Sequence, residues 1–75
     1  MVGRKYRHFK DGEYIVTNIA IDNENLKLVV VYRSLCPPEE TWIRDLYEFL
    51  SEVDHDKYPE VTQKMRFEAI GEKEI

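Results

Sequence analysis

The chain has 75 residues, 43% of them hydrophobic and 35% charged, and a formal net charge of −4. So short a chain has room for one small domain, which excludes a multi-domain enzyme and a dinucleotide-binding Rossmann unit. A membrane span needs about 20 apolar residues in a row, and the longest apolar run here is Leu28 to Tyr32.

Charge is unevenly spread. Residues 1–36 carry six basic and four acidic side chains, net +2, while residues 37–75 carry five and eleven, net −6. Arg4, Lys5, Arg7 and Lys10 crowd the first ten positions. Such a cluster can attract phosphate, but a chain of pI ≈ 5.1 repels polyanions overall. The expectation is a solubilising surface balanced by the acidic half. Cys36 is the single cysteine, so no internal disulfide forms, and no apolar stretch follows the basic residues of Met1–Lys10 as a signal peptide requires. Both features lead us to expect a reducing cytoplasm.

In chain order, the first structural signal is Asp11-Gly12, suited to the positive φ angles of a two-residue hairpin turn. That turn would place Lys10 opposite Glu13 and Phe9 opposite Tyr14. Next come two β-branched segments, Glu13–Ile21 and Leu26–Ser34, joined by the turn residues Asp22 to Asn25. Pairing Ile21 with Leu26 predicts a core face of Ile15, Thr17, Ile19 and Ile21 beside Leu26, Leu28, Val30 and Tyr32. The other face would carry Tyr14, Val16, Asn18 and Ala20 opposite Arg33, Val31, Val29 and Lys27. It is apolar at its centre, which predicts a cover or a self-association contact through Val16, Val29 and Val31.

Pro37-Pro38 marks a loop, and Thr41-Trp42-Ile43-Arg44 reads as a short strand. Asp45 followed by Glu48 has capping-box spacing, and Leu46, Phe49, Leu50 and Val53 form one apolar stripe. The spacing predicts a short helix that covers the second face of the sheet. Residues 54–60 are polar, the alternation Met65, Phe67, Ala69 predicts a closing strand, and Gly71 to Ile75 is expected to fray. The result is one mainly β domain over 1–75, compact from about 3 to 70. Its architecture is a small SH3-like barrel or a strongly curved antiparallel sheet, with one short helix before the last strand.

Several blocks carry a family resemblance: Tyr6-Arg7-His8-Phe9-Lys10, Tyr14-Ile15-Val16, Val30-Val31-Tyr32-Arg33, Trp42-Ile43-Arg44, Phe49 and Arg66-Phe67. Over roughly residues 3–70 the chain resembles the bacterial family known as domain of unknown function 1653. It departs from that pattern at Asp11, inserted before the glycine, at Cys36, where an aromatic is common, and at Asp45, which replaces a proline. The resemblance implies a compact, β-rich cytoplasmic domain with no established activity.

Residue chemistry argues against catalysis. His8 and His55 lie in different elements, Glu39-Glu40 diverge as neighbours, and no phosphate-cradling glycine loop is present. His55 between Asp54 and Asp56 lacks metal-ligand spacing, so no metal or cofactor is expected. His8 reads as a partly buried histidine hydrogen-bonded within the sheet, on the face of Tyr6 and Ile15. The candidate ligand-binding set is Tyr6, Arg7, Phe9, Tyr32, Arg33, Trp42 and Arg44, because guanidinium groups beside aromatic rings grip anions and offer stacking surfaces. These residues point to a non-catalytic binding or adaptor module for an anionic ligand, protein or peptide. Single-stranded nucleic acid binding and self-association are the alternatives, and the chain is expected to be a monomer or weak homodimer.

Overall fold

A computed structural model describes residues 1–71. Expected fraying at Gly71–Ile75 therefore falls, beyond Gly71, outside the described residues. The elements are β1 (Lys5–His8), β2 (Glu13–Ile21), β3 (Leu28–Ser34), β4 (Thr41–Asp45), α1 (Leu46–Phe49) and β5 (Phe67–Ile70). They form one five-stranded sheet in the order β4-β3-β2-β1-β5, every neighbouring pair antiparallel. Edges β4 and β5 do not pair with each other, so the barrel does not close and the open curved sheet is the architecture. Curvature is nonetheless strong. In a flat sheet β4 and β5 would lie about 19 Å apart, at ~4.8 Å per strand. Here the Arg44 guanidinium of β4 lies 5.5 Å from the Phe67 ring centroid of β5.

Both hairpins differ in register from expectation. Tyr6 faces Tyr14 and Arg7 faces Glu13, so the first connection is the four-residue loop Phe9–Gly12. Asp11 and Gly12 do take positive φ angles of 72° and 94°, but they close a wider loop in which the His8 amide donates to the Gly12 carbonyl. In the second hairpin Ile21 faces Leu28, and Leu26 takes φ 59° within the longer turn. The Asp22 and Asn25 carboxyl and amide oxygens accept backbone N–H groups inside that turn, which stabilises it over the tighter alternative.

A β-bulge changes which residues are inside. Val16 faces Tyr32, but Asn18 already faces Val31, leaving Thr17 as the extra residue. The Thr17 hydroxyl donates to the Val31 carbonyl across the bulge. Side-chain phase flips there, so Tyr14 and Val16 share a face with Ile19 and Ile21. Ile15, expected inward, lies on the opposite face beside Lys5 and Arg33. Val16 is fully buried, whereas Ile19 is 38% and Ile21 64% exposed.

The core consists of Val16, Val30, Tyr32, Phe49, Val53 and Phe67. Helix α1 covers this concave face, not the opposite one. Asp45 caps the helix, its side chain accepting from the Tyr47 and Glu48 amides, and the helix swings Phe49 onto Phe67. The return segment folds on itself: Val53 donates to the Lys64 carbonyl, Arg66 to the Ser51 carbonyl, and the Gln63 amide to the Arg7 carbonyl. Val29, Val31 and Ile43 remain on the open face, the last of them exposed. Among the described residues, no helix is long and apolar enough to cross a membrane.

Candidate functional site

At one end of the concave face the aromatic side chains form a continuous ladder. Ring centroids are 5.3 Å apart for Tyr14–Tyr32, 5.5 Å for Tyr32–Phe67, 4.8 Å for Phe67–His8, 4.6 Å for His8–Phe9 and 5.1 Å for Phe9–Tyr58. Most are edge-to-face contacts, the geometry that aromatic quadrupoles favour. Strand pairing explains the first half: His8 faces Phe67 and Tyr32 faces Trp42, so β1, β5, β3 and β4 aim these rings into one concavity. The β1–β2 loop supplies Phe9, and the Asp54–Tyr58 turn supplies Tyr58.

Cations line the same ladder. The Arg44 guanidinium lies over Phe67, Arg66 lies 5.8 Å from Phe9, and the Lys10 and Lys57 ammonium groups lie 5.0 and 5.5 Å from Tyr58. Arg44 is held by the Tyr32 hydroxyl at 3.3 Å and by Glu48 at 3.6 Å, and Arg66 by the Ser51 hydroxyl at 3.2 Å. Among the described residues, Lys10, Lys57 and Arg66 form no salt bridge. Asp54 is the carboxylate in their cavity, and one of its oxygens already accepts the Asp56 and Lys57 amides.

Two adjoining cavities result. One, of about 210 Å³, is lined by His8, Tyr14, Tyr32, Trp42, Arg44 and Phe67. The other, of about 260 Å³, is lined by His8, Phe9, Lys10, Arg44, Asp54, Lys57, Tyr58 and Arg66. His8 and Arg44 stand between them. The His8 Nδ1 accepts the Lys10 amide, so in the neutral ring Nε2 carries the proton. Partial burial, then the charges of Arg44, Arg66 and Lys10, lowers the His8 pKa to about 4. Hydrogen bonding from Lys10, followed by the charges of Lys10 and Lys57, holds the Tyr58 phenol below its ordinary value.

The sequence-derived set divides between two faces. Tyr32, Trp42 and Arg44 line the aromatic cavity, and Phe9 lines the cationic one. Tyr6 packs edge-on against Phe49 in the core. Arg7 pairs with Glu13 at 3.2 Å on the open face, where Arg33 also lies, so neither joins the site. Tyr14 and Arg33, expected opposite each other on one face, lie on different faces because the bulge puts Tyr14 on the concave face.

Sequence reading missed His8, Lys10, Tyr14, Lys57, Tyr58 and Arg66 as site members. The available signal was the recurrence of cations next to aromatics at Phe9-Lys10, Lys57-Tyr58 and Arg66-Phe67. Cys36 is an exposed free thiol, and His55 hydrogen-bonds the Gln63 carbonyl. Among the described residues, no cluster of His, Cys, Asp and Glu could hold a metal ion.

Residues 4–69 match the model of a family described as protein of unknown function (DUF1653). Comparison with curated proteins and with solved structures gives no match.

Proposed function

The chain belongs to the DUF1653 family, and we propose that it acts as a non-catalytic binding module for an anionic ligand. The observation that supports this reading is the convergence of Lys10, Lys57 and Arg66, unpaired with carboxylates among the described residues, on a cavity walled by aromatic rings. Several cations gathered around one concavity attract an anion more strongly than the same charges dispersed over the surface. Arg44 and Arg66 are held by Tyr32 and Ser51, so little side-chain freedom is lost when a ligand arrives. The lone exposed Cys36 suits a reducing compartment and supports a cytoplasmic setting.

An amide-shift titration with inorganic phosphate at low salt tests the reading. Perturbations are expected at residues 8–10, 44, 54–58 and 66, and they weaken as salt is added. Absence of any perturbation, or perturbation confined to Lys5, Arg7 and Arg33 on the open face, overturns it.

A further inference from the structure

Neither cavity alone reaches the roughly 300–1,000 Å³ usual for a small-molecule site, whereas the two taken as one fall inside that range. Their linings differ in kind: the smaller is aromatic, the larger cationic. Building on the anion-binding reading, we infer that the two cavities together accept one nucleoside monophosphate, base among the aromatic rings and phosphate among Lys10, Lys57 and Arg66.

Three features favour this ligand class. First, the aromatic cavity offers a large planar surface, because Trp42 is 47% exposed and borders it. Stacking of a base on such a ring is sequence-tolerant and substantial. Second, that cavity is not purely apolar: the His8 imidazole and the Arg44 guanidinium border it. A heteroaromatic base can pair at its edge with the His8 Nε2–H and the remaining Arg44 N–H groups, which a phenyl ring cannot do.

Third, His8 and Arg44 separate the two cavities, so a ligand filling both needs a spacer between its ring and its anionic group. Ribose supplies that spacer; a phosphate attached directly to a ring does not. The neutral His8 ring, its Nδ1 already occupied, keeps Nε2–H as a donor on a side chain that lines both cavities.

A single nucleotide also fits better than a running strand. A polynucleotide needs a basic track along its backbone. Here the remaining N-terminal cations of the sheet, Lys5 and Arg7, lie with Arg33 on the opposite face, and Arg7 is paired with Glu13.

Trp42 is the only tryptophan, so its fluorescence reports on the aromatic cavity directly. The four nucleoside 5′-monophosphates, ribose 5-phosphate, the corresponding nucleosides and O-phosphotyrosine are titrated at low salt. The best nucleotide should quench Trp42 and bind at least tenfold more tightly than ribose 5-phosphate, its nucleoside or O-phosphotyrosine. The exposed double variant Lys10→Ala/Lys57→Ala should lose at least fivefold in nucleotide affinity with no change toward the nucleoside. Trp42→Ala, followed by amide shifts, should abolish the preference of nucleotide over ribose 5-phosphate.

Ribose 5-phosphate or O-phosphotyrosine binding as tightly as every nucleotide overturns the inference and leaves the anion-binding reading standing. Failure of all the phosphate compounds to bind overturns both.

Discussion

The Phe49 and Phe67 rings lie face to face, 4.1 Å between centroids and 8° from parallel, joining α1 to the edge strand β5. Tyr32 meets both edge-on, so these three rings link helix, sheet centre and sheet edge. Domains are stable by roughly 0.05–0.15 kcal/mol per residue, or about 4–11 kcal/mol for 75 residues. Phe67→Ala should cost about 3–5 kcal/mol, a large part of that margin. Urea unfolding followed by circular dichroism should place the Phe67→Ala midpoint well below that of the parent; a midpoint within error of the parent would mean the stack contributes little.

The bulge at Thr17 makes a second prediction, because it decides which of two alternating sets is inside. Val16→Ala removes buried methyl groups and should cost about 2 kcal/mol by transfer and cavity terms. Ile21→Ala, at a position 64% exposed, should change stability by less than about 0.5 kcal/mol. Equal losses at the two positions would contradict the observed phase.

These two positions show what could be read from the chain. Strand propensity, the β4 segment, the Asp45 cap and the alternation around Phe67 are local signals, and each element appears where they indicate. Register is not local. The apolar positions 14, 16, 19 and 21 contain an odd gap at Thr17-Asn18, which is the trace a bulge leaves, but Ile15 masks it by extending the opposite alternation. The wide Phe9–Gly12 loop likewise accompanies the pairing of β1 with β5, a contact across some sixty residues. The site inherits this difficulty. Trp42 and Arg44 share a face because they are two apart on one strand, whereas Lys57, Tyr58 and Arg66 reach it only through the folded return segment.

The Asp45 cap supplies a third test. Its carboxylate accepts the Tyr47 and Glu48 amides at 3.0 and 3.1 Å. Asp45→Ala leaves both donors without a side-chain partner and should cost about 1 kcal/mol, with Asp45→Asn retaining most of the stability. Equal urea midpoints for the alanine and parent proteins would show that solvent replaces the cap.

Separation of the arginines between faces gives a fourth. Arg7→Ala breaks an exposed pair with Glu13, and such pairs contribute at most about 1 kcal/mol. Neither Arg7→Ala nor Arg33→Ala should alter phosphate binding, while Arg66→Ala should weaken it several-fold. Binding measured at low salt settles the comparison; a loss in Arg33→Ala equal to that in Arg66→Ala would move the anion to the open face.

His8 links the cleft to pH. Its folded pKa of about 4 lies below the ordinary 6.5, so the unfolded chain takes up a proton that the folded chain refuses. The associated stability is fully present above pH 6.5 and is lost as pH falls from 6.5 toward 4. Removing the ring in His8→Asn should flatten this part of the stability profile. Burial and the charges of Arg44, Arg66 and Lys10 depress the value, with Lys57 and Asp54 lining the same cavity. An anion placed among those cations offsets their field, so sulfate, which does not itself titrate in this range, should raise the His8 midpoint. By linkage, sulfate must then bind more tightly to the protonated cleft. Imidazole NMR shifts followed from pH 3.5 to 8, with and without sulfate, measure both effects. A His8 midpoint at 6.5 that sulfate does not move would separate this histidine from the anion site.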